Sequence, residues 1–301
     1  MGVLRWGRSG VKATTVVAPL VNLRSRRLRA AAGRAGVHLF LLLAGAGFAL
    51  PLFWQVSASL KVDKQLFTFP PIWIPNPIDW RNYPEALAAM PFLVYLRNTL
   101  WISLWNVVGI LASCVPVAYG LARIEWPGRQ ALFLLVLATM MLPYAVTMIP
   151  LYIVFKVLGW VGNFNPLIVP AFFGGPFFIF LLRQFFMTIP MELSDAAIID
   201  GCSHLRTLWY IFVPLSKPAL ATVALFTFMA NWNDFMGPLI YLSDDAHYTL
   251  SIGLQRFLVL HQAEWAYLMA ASTTFTVPII IMFFFTQRTF IQGITLTGIK
   301  A

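Results

Sequence analysis

The residues of this chain that could do chemistry are few, and they suit docking and hydrogen bonding more than bond breaking. Asn231, Trp232, Asn233 and Asp234 form one polar group in an apolar run, and Ser272, Thr273, Thr274 and Thr276 form another. Amide and carboxylate groups bond sugar hydroxyls well, and an indole offers a flat apolar face to a sugar ring. These residues are expected to line a translocation path. Reactive constellations are missing. There is no HExxH, and no lysine follows a glycine, so neither a zinc-protease site nor a phosphate-binding P-loop can form. Asp234 is the lone acid near a span interior, whereas a proton-driven pump needs ionisable groups at depth. Cys114 and Cys202 stand far apart, and His247 and His261 are fourteen residues apart, which is no metal-ligand spacing. No catalytic residue, metal or cofactor is expected on this chain.

The elements that hold these residues follow from composition. Of 301 residues, 59% are hydrophobic and only 11% charged. Soluble domains carry about a quarter charged residues, which excludes a soluble enzyme, a disordered chain and a disulfide scaffold. Charges are rare enough that the gaps between them count spans, each needing roughly 20 apolar residues. Six helices are expected, at about 38–57, 96–120, 131–155, 166–186, 216–238 and 266–288. Uncharged runs this long are not the short alternating segments of an outer-membrane barrel.

The net charge of +10 is a topology signal. Eight of the 21 Lys and Arg precede residue 35, with no acid among them. Threading six spans from a cytoplasmic N-terminus puts fifteen of the 21 inside, so both termini are expected in the cytoplasm. Nucleic acid is not an expected partner, because no basic platform interleaved with aromatics follows. Residues 1–36 are expected to be a basic extension against anionic lipid, and 37–301 the six-span domain. The outer loop 61–96 is rich in Pro and aromatics, which suits the headgroup region.

The cytoplasmic loop between spans four and five, Pro190 to Pro218, is far longer than a simple connector needs. Its residues predict two short helices around a glycine. Ser194 and Asp195 suit a first helical turn, and Ala196 and Ala197 are strong helix formers. Gly201 suits the position after a helix end, where positive φ is needed, and Ser203 suits a cap on the next helix. The small Ala-Ala step lets another protein approach the backbone.

Asp195-Ala196-Ala197, three residues, Gly201, nine residues, Ile211, one residue, then Val213-Pro214 resembles the EAA loop of ABC-importer permeases, EAA-x3-G-x9-I-x-L-P. Asp replaces Glu and Val replaces Leu. AYGLARIEWPGR (118–129), MLPYAVTMIPLYIVFKVLGW (141–160), NWNDFMGPL (231–239) and QRTFIQGITLTGIK (287–300) are similar to the carbohydrate-uptake branch, and in particular to the second permease subunit of maltose- and glycerol-phosphate-type importers. The likeness covers about residues 38–300.

That resemblance implies an all-α polytopic membrane protein with six transmembrane helices and a coupling loop at about 190–214. Asp195, Ala196, Ala197, Gly201, Ile211 and Pro214 would couple to an ATPase subunit. Gly293, Thr297, Gly298 and Lys300 of the tail would enter the ATPase interface. Residues 243–265 would meet an extracytoplasmic solute-binding protein. A homologous second permease would complete the path, a P-loop ATPase dimer would carry the ATP and Mg, and the complex would sit in a bacterial or archaeal cell membrane. The solute would be a sugar. Amino-acid or peptide import and a self-sufficient secondary carrier are the alternatives.

Overall fold

The computed structural model describes residues 23–259 and 264–298, and all regular structure among them is helical. The chain divides into two compact units, residues 1–53 and 54–301. Helix α1, Leu23–Ser59, makes up the described part of the first unit and enters the second. Its side chains from Leu39 to Leu43 and at Phe48 are exposed, as a lipid-facing run would be.

In the second unit, α2 (Asp63–Leu66) and α3 (Asn82–Ala88) fold the loop after α1. Asn82 pins that loop by donating to the carbonyls of Ser59 (3.0 Å) and Lys61 (2.9 Å). Next come α4 (Phe92–Arg123), α5 (Arg129–Thr139), α6 (Tyr144–Val157) and α7 (Asn165–Ile168). A 3-10 turn, Val169–Phe173, leads to α8 (Pro176–Thr188). The segment between the fourth and fifth spans holds α9 (Met191–Ile199), α10 (His204–Thr207), a π-turn (Leu208–Phe212) and α11 (Val213–Leu215). The chain continues through α12 (Lys217–Trp232), α13 (Met236–Tyr241), α14 (Leu250–Val259) and α15 (Trp265–Gly298).

Six stretches answer to the six expected spans, but they differ in kind. Four are long enough to cross a membrane: 33–59, 92–123, 165–188 and 265–287. The other two are bent pairs. Arg129–Thr139 meets Tyr144–Val157 at 96°, and His204–Leu215 meets Lys217–Trp232 at 80°. The third span is therefore broken where the sequence predicts one helix over 131–155. Pro143 is extended (ψ 140°), it lacks an N–H, and it disfavours helical geometry in the residue before it. The fifth span, expected to run to 238, ends its helix at Trp232, and a separate short helix follows.

Helix α4 is the spine of the second unit. Its 32 residues measure about 48 Å, well beyond a hydrocarbon core of about 30 Å. The 3-10 turn and α8 run beside it in the same direction, through contacts of Ser113 Oγ with the Ala171 carbonyl of the turn (3.0 Å) and of Arg183 Nε on α8 with the Leu121 carbonyl (3.1 Å). Close approach needs a small residue. A Cβ at Gly109 would stand 2.8 Å from the Phe172 ring. One core cluster joins α4, α8, the π-turn and α12 through Cys114, Leu121, Leu182, Phe186, Phe212 and Val223. A second joins the start of α4 to α12, α14 and α15 through Tyr95, Trp232, Leu250, Phe257 and Ala270.

Candidate coupling segment and translocation path

Helix α9 starts after the extended Pro190, with Glu192 in its first turn to complement the dipole. It ends in a Schellman motif. The Cys202 amide donates to the Ala197 carbonyl (2.8 Å), and the Gly201 amide donates to the Ile198 carbonyl (3.0 Å). Gly201 takes φ +77°, the left-handed region that costs an L residue about 1–2 kcal/mol. A Cβ there would meet no atom of this chain, so space around Gly201 is open. Ser203 caps the next helix by accepting from the Arg206 amide at 3.5 Å.

The structure separates the two alanines of the motif. Asp195 and Ala196 are exposed, whereas Ala197 is buried at 4% exposure. Ile211 packs partly buried on the core, and Pro214 is exposed at the last turn before the 80° bend. Ile199, Leu205, Trp209 and Tyr210 are exposed on either side of Gly201. With Asp195 and Ala196 they lie on an exposed segment that also carries Asp200 and Arg206. Sequence reasoning missed these four. Large apolar residues recurring through the loop between spans four and five were the available signal.

The base of this segment is held by two arginines, which the sequence offers only as topology charges. Arg123, at the end of α4, is 8% exposed. Its Nη2 donates to the carbonyls of Phe186 and Ile189, and its Nη1 contacts Met191 Sδ at 2.9 Å. Its guanidinium lies 4.9 Å from the centre of the Phe212 ring. Arg183, on α8, bonds the Leu121 carbonyl and lies over the Phe133 ring at 4.0 Å. Each helix thus lends an arginine to carbonyls at the other's end, where the last carbonyls of a helix run short of internal donors and a cation is favoured.

The expected path residues do not share one cavity. Trp232 is buried, stacked between Phe228 (5.4 Å) and Phe275 (5.2 Å). With Trp80, Tyr83, Phe92, Thr273 and Pro278 it lines a cavity of about 490 Å³. Asp234 faces a different cavity of about 410 Å³ with Tyr144, Phe155, Gly237 and Tyr241. Its carboxylate accepts from the Gly237 amide at 3.1 Å, which makes it the cap of α13. Asn231 and Asn233 each donate at 2.8 Å to their own helix, at the carbonyls of Thr227 and Met229. Thr273, Thr274 and Thr276 spend their hydroxyl protons likewise, on the carbonyls of Met269, Ala270 and Ser272, the last being the contact that ties Ser272 to the group.

The loop from 243 is anchored near the N-terminus of α4. Asn98 Nδ2 donates to the carbonyls of Ala246 (2.8 Å) and Tyr248 (3.0 Å), and the Leu250 amide donates to Thr99 Oγ1 (3.0 Å). Arg256 bonds both the Tyr95 hydroxyl and Asp245, each at 2.6 Å. A hydrogen bond from His247 holds the Asp244 carboxyl below the usual carboxylate range. His261 lies outside the described residues. Of the tail, Gly293, Thr297 and Gly298 continue α15, while their surroundings and Lys300 lie outside the described residues. No cluster of three metal-ligating residues occurs among the described residues.

Residues 106–295 match the family model described as "Binding-protein-dependent transport system inner membrane component". The chain belongs to this family. It is a multi-pass membrane transport subunit, a permease, and the family places ATP hydrolysis outside it. The permease is 32% identical over 273 residues to a probable ABC transporter permease of Bacillus subtilis, covering 89% of each chain. It is 37% identical over 209 residues to an arabinooligosaccharide-transport permease of Halalkalibacterium halodurans, covering 69% of this chain and 75% of the relative. Among solved structures it is similar to a bacterial ABC transporter that imports the acidic polysaccharide alginate. The TM-score is 0.74 at 25% identity, over 89% of this chain and 98% of that one.

Proposed function

We propose that this permease forms half of the translocation path of an ATP-driven importer for a sugar or sugar-like solute. A homologous permease supplies the other half. A P-loop ATPase dimer, carrying ATP and Mg, docks on α9 and the helix after it, and an extracytoplasmic binding protein delivers the solute to the loop from 243. The complex sits in a bacterial or archaeal cell membrane with both termini of this chain cytoplasmic, and the tail at Gly293–Lys300 reaches the ATPase interface. The observation that carries the reading is the segment 190–215, where a Schellman turn at Gly201 presents Asp195, Ala196 and the apolar residues around them to an outside partner. The arabinooligosaccharide and alginate systems of its relatives support a carbohydrate as the solute class.

Switching a path from about 1:99 to 99:1 requires roughly 5.5 kcal/mol of differential interaction. This chain has no nucleotide motif of its own, so the docking segment is where it receives that energy. The test is purification of the complex from mild detergent, followed by ATP-driven uptake of labelled arabinooligosaccharides in proteoliposomes with its binding protein. Gly201→Trp should insert into the membrane yet lose the ATPase subunit and fall to background uptake. Wild-type uptake by Gly201→Trp would sink the docking assignment. Uptake of amino acids in preference to oligosaccharides would sink the solute class.

A further inference from the structure

We propose that Arg123 is a positioning residue for coupled transport: it locks the start of α9 to α4, so that displacement of the docking segment is carried along α4 to the outer loop held by Asn98 and Thr99. The proposal rests on the reading of α9 as the docking segment.

Three features carry it. The first is the reach of one guanidinium. Arg123 bonds the carbonyls of Phe186, near the end of α8, and Ile189, just before α9, and touches Met191 in α9 itself. Its ring partner Phe212 is fully buried and packs edge-on against Phe186 (5.6 Å) and Tyr119 (5.0 Å). Both arms of the docking segment, before and after Gly201, therefore converge on one side chain of α4. A planar fork of donors suits this task, and a lysine's single ammonium does not. The second feature is burial. Arg123 Nε has no acceptor among the described residues, so the two bonds of Nη2 hold the buried guanidinium, and breaking them would leave further buried donors unpaired, which is costly.

The third feature is the other end of the same helix. Asn98 and Thr99 bond three backbone groups of residues 246–250, so the outer loop is fixed to α4 by main-chain contacts. From Asn98 to Arg123 is about 37 Å of helix. Packing continuity alone does not show that a signal travels, so the experiment must measure response at one end to a change at the other.

Ala246 is exposed and accepts a spin label as Ala246→Cys, with Cys202→Ser; Cys114 is buried and escapes labelling. The full complex with its binding protein is then given Mg and the non-hydrolysable analogue AMP-PNP. The wild-type label should change its spectrum. In Arg123→Gln the ATPase subunit should stay bound and nucleotide affinity should hold, while the spectral response and uptake fall by about 5- to 150-fold, the range of ordinary coupling. Arg123→Lys should recover little. Asn98→Ala should lose the response similarly. Sites this far apart normally add, so the double variant being no worse than the worse single one is the signature of a shared line. A retained response in Arg123→Gln, loss of the ATPase subunit from it, or plain additivity with Asn98→Ala would each overturn the proposal. Retention of ATPase and uptake by Gly201→Trp would instead bring down the docking reading beneath it.

Discussion

The two ends of this permease are built by different means. At one end, α9, its Schellman turn and the capped helix after it are made by residues close in sequence, with local hydrogen bonds at 196–207. At the other end, the cavity beside Trp232 draws on Trp80, Phe92, Leu250 and Thr273, residues that meet only when four elements assemble. A surface made locally can be reshaped without unfolding the chain. A cavity made by distant elements cannot lose a member without disturbing the core behind it.

Substitutions can break or sharpen that contrast. Trp232→Ala should cost most. It empties a fully buried position between two stacked rings, and such truncations cost about 3–5 kcal/mol. The detergent-solubilised complex should melt several degrees lower, and uptake should fall with it. Gly201→Val should cost less, about 1–2 kcal/mol from the left-handed backbone, whereas Gly201→Asn should be better tolerated. Melting curves of the pair separate backbone strain from loss of docking.

The adjacent alanines give the sharpest comparison. Ala197→Leu should overpack a buried site and cost about 1–3 kcal/mol. Ala196→Leu should change stability by less than about 0.5 kcal/mol, yet reduce recovery of the ATPase subunit on affinity purification. Equal effects of the two on melting would remove the distinction between a buried and a presented face.

Smallest of all is a pH effect in the loop from 243. The Asp244 carboxyl titrates below its ordinary value because His247 bonds it. The bond's contribution is present above the ordinary carboxylate pKa of about 3.9 and fades as pH falls through the lowered value. Amide exchange at His247 should therefore stay protected at pH 5 and quicken only in stronger acid, and Asp244→Asn should remove that dependence.

How much of this was legible in the sequence follows the same division. The spans, the capped helices and the glycine turn could be read because each depends on a period or on neighbours in sequence. The break of the third span was signalled by Pro143, yet charge-free gaps cannot see a bend. The grouping of Asn231 to Asp234 was not legible as function. Four adjacent polar residues point in different directions around a helix end, so one stacks in a cavity, one caps the next helix and two bond their own turn. Arg123 and Arg183 looked like surface charges because their acceptors, main-chain carbonyls some 60 residues away, leave no trace in side-chain identity.

The backbone at Gly201 also has a genetic consequence. One-base changes in a glycine codon yield alanine, serine, cysteine, valine, arginine, tryptophan, aspartate, glutamate or, from one codon, a stop. Only aspartate among these enters the left-handed region with any ease, by bonding its own backbone. Almost every amino-acid replacement that a point mutation can make at this codon is therefore felt, and a survey of spontaneous transport-negative strains should find the position more often than its share of the gene's length.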